Sequence, residues 1–394
     1  MEQSAPRLRF PGFSGTWEKK VLGDLTKFQT GKSFSLELTN NGKYIVMDMG
    51  TIDQEGNRIE SKTTNVTRDI LKADDLVMPK DDIGGGLIIG RTAYIPTNSQ
   101  YVLGDHVYQL RFHGIKGLFI HYQINSNHFR KQVKRLVTGS AQLGLNSKSL
   151  SKTIITIPSL PEQEKIADFF STLDEKIDLK EKEIENVKTM KKGFLQKMFP
   201  QDGASVPRLR FPGFSGEWEK KKLGEIVQRK NKKGISDLQT PSVEYEDINA
   251  KEGTLNKNIY NKMIGKKGIL FDKDDIVYGK LRPYLGNWIN PTFKGVAVGD
   301  FWILKPKAKL AKVFLYYLIQ GTEFQKIANQ SIGTKMPRAD WKLIANTVFA
   351  FPSIPEQEKI ADFFSALDEK IDAMEKQLKD LKEMKKGFLQ QMFI

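Results

Sequence analysis

Three pairs of near-identical segments run through this chain, and repeats of that kind decide architecture before anything else does. Residues 6–25 read PRLRFPGFSGTWEKKVLGDL and residues 207–226 read PRLRFPGFSGEWEKKKLGEI, identical at sixteen of twenty positions. PSLPEQEKIADFFSTLDEKID (158–178) returns as PSIPEQEKIADFFSALDEKID (352–372), with nineteen of twenty-one positions identical. MKKGFLQKMF (190–199) returns as MKKGFLQQMF (384–393). The stretches between these segments barely resemble each other. The offset is 201 positions for the first pair and 194 for the other two, so the second variable stretch is seven residues shorter. A solenoid drifts a little in every repeat. A chain that holds some pieces fixed and lets two stretches diverge instead carries two unlike globules on one near-symmetric frame.

Local patterning fills in the frame. Ser159 and Glu162 have capping-box spacing, and Pro161 suits a first helical turn. The run from 161 to 198 holds no further Pro and one Gly, Gly193, so it reads as a helix of about 57 Å. In the second copy Ile360, Phe364, Leu367, Ile371, Met374, Leu378 and Leu381 alternate in steps of four and three, a coiled-coil seam. The first copy follows with Ile166, Phe170, Leu173, Ile177, Ile184 and Val187, but places Lys180 where the second has Met374. Each seam needs a partner, and the other copy supplies one. In the variable stretches Tyr44–Met47, Leu76–Met78, Leu87–Ile89, Ile276–Tyr278 and Val296–Val298 are short apolar runs bounded by turn residues, as strands are. Short helices are predicted at 116–136 and 310–328. The expected fold class is therefore mixed α/β (α+β): two globules joined by two long antiparallel coiled-coil helices with a pseudo-twofold internal repeat. The boundaries are 1–157 for the first globule, 158–200 for the first spacer helix, 201–351 for the second globule and 352–394 for the second spacer helix.

Composition narrows the chemistry. The 394 residues include no Cys, which excludes disulfides, thiolate zinc sites, iron–sulfur ligation and cysteine nucleophiles. No stretch approaches 18 apolar residues, so no transmembrane helix is expected, and MEQSAPRLRFPGFSG lacks the apolar core of a signal peptide. A cytoplasmic location fits both. With 62 Lys and Arg against 47 Asp and Glu, the formal net charge is +15, which points to a polyanionic partner.

At PEQEKIADFFSTLDEKID and its second copy the chain resembles the specificity subunit of type I restriction–modification systems. Leu-Pro-Glu-Gln-Glu-Lys-Ile-Ala at 160–167 and Ile-Pro-Glu-Gln-Glu-Lys-Ile-Ala at 354–361 carry the likeness. Arg-Phe-Pro-Gly-Phe-Ser-Gly-x-Trp looks like the opening of that family's target-recognition domains. Phe169-Phe170 and Phe363-Phe364 depart from it, since the family more often has other apolar residues there. The resemblance implies two target-recognition domains, each reading one half of a split double-stranded DNA target, and a helical spacer that sets the gap. It implies no catalysis in this chain. It implies docking of two adenine-N6 methyltransferase subunits that use S-adenosylmethionine, and of two translocase–nuclease subunits that use ATP and Mg. Two other readings stay open: a coiled-coil scaffold with protein-binding globules, and a self-contained DNA adenine methyltransferase.

Motifs that could carry chemistry are weak. Asn290-Pro291-Thr292-Phe293 is similar to the Asn-Pro-Pro-Phe of amino-methyltransferases, but the second Pro and a cofactor loop are missing, so it reads as a turn between strands. Gly84-Gly85-Gly86 lacks the Gly-Lys-Ser/Thr of a phosphate loop and reads as a flexible loop or strand turn. His106, His113, His121 and His128 have no ligand-spaced partners, so no metal site is expected. Asp81-Asp82 and Asp274-Asp275 read as turn caps on a shared substructure. For DNA contact, cations and aromatics interleave at Lys280, Arg282, Tyr284 and Trp288, with Lys80 and Arg91 in the matching place of the first globule. The polar loops before the spacer helices add Gln142, Asn146 and Lys148, and Lys335 and Arg338.

Overall fold

The computed structural model describes residues 5–140, 142–330 and 336–394. It divides into two compact units, Met1–Glu181 with Lys376–Ile394, and Lys182–Glu375.

In the first unit Leu76–Pro79 lies inside an antiparallel sheet ordered Gln29–Thr30, Val107–Leu110, Leu76–Pro79, Ala93–Tyr94. Leu76 and Met78 face a core with Phe119 and Ile120, while Val77 faces a second core with Met47, Ile95 and Leu103. A strand buried on both faces reads as an unbroken apolar run, which is how this one looks in sequence. Beyond it lies a sheet in which Tyr44–Met47 runs parallel to Tyr101–Leu103.

The second unit repeats this plan with a different sequence. Ile276–Gly279 sits in the sheet Val227–Lys230, Phe301–Pro306, Ile276–Gly279, Trp288–Ile289. Ile276 and Tyr278 point to one core and Val277 to the other. Ser242–Val243 runs parallel to Gly295–Ala297.

Several details differ from the sequence reading. Leu87–Ile89 forms turns and not a strand, because the buried Asp82 carboxylate accepts the N–H groups of Gly84, Ile88 and Ile89. Each predicted short helix is two: Gly117–Asn125 and Asn127–Lys134, then Lys312–Leu318 and Thr322–Ala328. The carboxylate that matches Asp275 is Asp75, not one of Asp81-Asp82. Asp75 and Asp275 each accept the N–H three residues earlier, of Lys72 and Asp272, at 2.7 Å, and each is held by a cation, Arg111 or Lys230.

The repeated segments explain themselves in the packing. The long helices span Leu160–Met198 and Ile354–Gln391. In the first unit Phe169 meets Phe388, Phe170 stacks on Phe393, Asp174 pairs with Lys385 and Glu181 with Lys382. From Phe170–Phe393 through Asp174–Lys385 to Glu181–Lys382 one number rises as the other falls, so the paired helix segments are antiparallel. In the second unit Phe363 meets Phe194, Phe364 stacks on Phe199, Asp368 pairs with Lys191 and Glu375 with Lys188. These are the same four contacts moved by 194 positions. Ile166, Phe170, Leu173, Ile177, Ile184 and Val187 are buried, as are Ile360, Phe364, Ile371 and Met374. Leu367, Leu378 and Leu381 are half-buried.

Glu162 does not reach back to cap its own helix. Its carboxylate takes a two-pronged bond from Arg9, whose guanidinium also donates to the carbonyls of Ser14 and Gly15. Glu356 and Arg210 repeat this geometry with Ser215 and Gly216. The adjacent Gln163 accepts from the Lys116 N–H, and Gln357 from the Ala311 N–H, so each fastens its helix to the loop before the first short helix of its unit. The PEQ triplet and the RFPGFSG opening are thus two halves of one joint, made once in each unit.

Candidate nucleic-acid interface

In the second unit the chain leaves Ile276–Gly279 at Lys280, and the Lys280 N–H donates to the carbonyl of Asp300. Ala339 N–H donates to the Lys280 carbonyl, and Arg282 N–H donates to Pro337 at 2.7 Å. Two loops far apart in sequence are thereby stitched edge to edge. Asp300 gathers the charge: Lys280 lies 3.2 Å from one carboxylate oxygen and Arg338 2.9 Å from the other. Burial works to raise the Asp300 pKa, but the bonds from Arg338 and Lys280 hold it below the usual range. Tyr245 braces the site, donating to the Asp300 carbonyl and accepting from the Leu281 N–H. Arg282, in a left-handed conformation, and Tyr284 are exposed on the same loop.

Trp288, expected on this surface, is buried. It sits in the strand Trp288–Ile289, paired with Val277–Tyr278, and its ring stacks on Tyr278 in the core. Strand alternation turns it inward, which a loop reading of the same residues misses. Lys335 lies outside the described residues.

The first unit builds the same stitch. Lys80 N–H donates to the His106 carbonyl and Leu145 N–H to the Lys80 carbonyl. Gln142 is exposed where the chain enters the strand Leu143–Leu145. Asn146 caps the following short helix by accepting from the Lys148 N–H, and Lys148 is exposed. Arg91 lies elsewhere: it is largely turned into the fold, donating to the Asn125 carbonyl, and burial lowers its pKa. Lys131, Lys134 and Arg135, not among the expected contacts, are exposed at the end of Asn127–Lys134 beside this edge. The run HFRKQVKR carried that signal. Asp300 is not among the expected contacts and His106 is weighed only as a metal ligand, because no local motif marks either at this edge.

His121 is half-buried beside Thr92 and Asn125, and desolvation, with the charges of Lys385 and Arg58, holds its pKa down to about 3. It stays neutral and packs. Asn290–Phe293 links two strands, with Phe293 against Phe271. Among the described residues no group of three or more His, Asp and Glu is placed to hold a metal ion, and no helix is long and apolar enough to cross a membrane.

Comparison with known proteins agrees with this arrangement. The model of the type I restriction modification DNA specificity domain matches residues 14–189 and again residues 215–383. The chain belongs to the type I restriction–modification DNA specificity family. Its relatives in that family include the type I restriction enzyme MjaVIII specificity subunit of Methanocaldococcus jannaschii, 24% identical with 95% of this chain and 91% of the relative covered. The EcoDI specificity subunit of Escherichia coli is 22% identical, over 92% and 83% of the two chains. The fold is shared with the S subunit of the M. genitalium type I system, with a TM-score of 0.65 at 18% identity over 99% of both chains. A type I assembly structure gives 0.59 at 15% identity over 98% of both.

Proposed function

We propose that this chain is the DNA-reading subunit of a type I restriction–modification complex, with each unit reading one half of a bipartite double-stranded target. One observation carries this: the same fold is built twice on an identical joint, while the exposed edges at Lys80 and Lys280 differ. Two unlike readers on one frame suit two unlike half-sites. The duplicated long helices set the gap and offer two equivalent docking places for two methyltransferase subunits, which bring S-adenosylmethionine. Two translocase–nuclease subunits with ATP and Mg complete the assembly in the cytoplasm. This chain contributes no catalytic group. The exposed cations at 131, 134, 135, 148 and 282 hold DNA phosphates, so affinity falls steeply with salt.

Exchange of residues 27–150 for another family member's segment tests this reading. The methylated motif should change in one half-site only, leaving the other half-site and the gap intact. A change in both halves would contradict separate readers.

A further inference from the structure

The two stitched edges keep one backbone plan and differ in side-chain chemistry. In the first unit Pro79 opposes Val107, and in the second Gly279 opposes Phe301. One step further, Lys80 meets His106 and Lys280 meets Asp300 through the same backbone bond. The turns before them read Val102-Leu103-Gly104-Asp105-His106 and Val296-Ala297-Val298-Gly299-Asp300. The two turns are equally long, since the Gly104 N–H donates to the Met47 carbonyl as the Val298 N–H does to that of Val243, and His106 takes the backbone place that Asp300 holds in the other unit. It does so at φ 59, a left-handed conformation that costs a non-glycine residue energy. Its Nδ1 lies 2.8 Å from Asp81 Oδ2, and Asp105 lies 3.9 Å from its Nε2. The ring is half exposed, 49%. Asp81 opposes Gly144 in the first unit, where Leu281 bridges Arg338 in the second.

The lysine is therefore constant at this edge and its neighbours are not. A constant cation suits the phosphate, which carries no sequence information, and variable polar groups suit the base edge. We propose that His106 and Asp81 form the base-discriminating pair of the first unit, counterpart to Arg338 and Asp300 in the second. This rests on the DNA-reading role proposed above. A positioned imidazole–carboxylate pair offers donor and acceptor groups to one base pair of the major groove.

The test uses the whole chain co-expressed with its methyltransferase subunit, reading N6-methyladenine motifs. His106→Ala should relax preference at one position of one half-site by roughly ten- to a hundredfold. His106→Asn, which tolerates the left-handed turn, should alter the same position, separating lost chemistry from a lost turn. Arg338→Ala should relax the other half-site. Wild-type motifs surviving in both His106 variants and in Asp81→Ala would overturn the assignment. If the wild-type complex itself yields no split motif, the DNA-reading role fails first and takes this proposal with it.

Discussion

Removing residues 387–394 is expected to unfold the first unit while leaving the second folded, although the deletion lies more than two hundred residues beyond the first globule's last strand. The tail of the second long helix is part of the first unit's core. Phe393 packs on Trp17, Phe119 and Phe170, Phe388 packs on Phe169, and Met392 is buried beside them. The Leu8 N–H also donates to the Gln391 carbonyl. Truncating one buried Phe costs about 3–5 kcal/mol, and a domain is stable by only about 5–15. Losing two Phe and a Met together removes most of that margin. In the second unit Phe199, Phe194 and Met198 hold the equivalent places, so that unit should keep its protection. Hydrogen exchange resolved by segment checks this. Rapid exchange across 18–157 with slow exchange across 219–351 is the expected pattern, and equal protection of both would contradict it. The same packing makes a chain ending near residue 205 an incomplete half. Its own MKKGFLQKMF is nearly the missing MKKGFLQQMF, so two such halves should pair symmetrically, as a concentration series in analytical ultracentrifugation would show.

Glu356→Ala is expected to destabilise the second unit by about 3 kcal/mol, and Glu162→Ala the first unit by a similar amount. Each carboxylate is nearly sealed, at 2% and 1% exposure, and each holds an arginine by two bonds of 2.6–2.7 Å. Breaking a buried pair from one side leaves the other charge uncompensated. Arg210 and Arg9 keep their bonds to backbone carbonyls and some contact with water, which places the cost at the low end of the range for such pairs. Glu356 also accepts from Trp218 Nε1, a bond for which Trp17 has no counterpart, so Glu356→Ala should be the costlier of the two. Segment-resolved exchange again reads the effect. Destabilisation of both units by either single substitution would show that the two joints are not independent.

The frame was legible because it is written twice. Repeats at constant offset mark the long helices and their seam, and apolar runs at 44–47, 76–78 and 276–278 mark strands of the two units. What escaped depends on partners distant in sequence. Glu162 has capping-box spacing, yet its partner, Arg9, lies 153 residues away. Leu87–Ile89 has strand composition, yet a neighbouring carboxylate takes its N–H groups. Trp288 looks like an exposed aromatic beside cations until the strand that it joins turns it inward. His106 and Asp300 share no residue type, and only the register of the strands around them shows that they occupy one position.

The most direct measurement is a methylation map. The chain would be co-expressed with its methyltransferase subunit in a host without adenine methylation, beside a control lacking this chain, and N6-methyladenine mapped across the genome. A single split motif with a fixed gap, absent from the control, is the predicted result. A stable complex with an active methyltransferase and no split motif would contradict it.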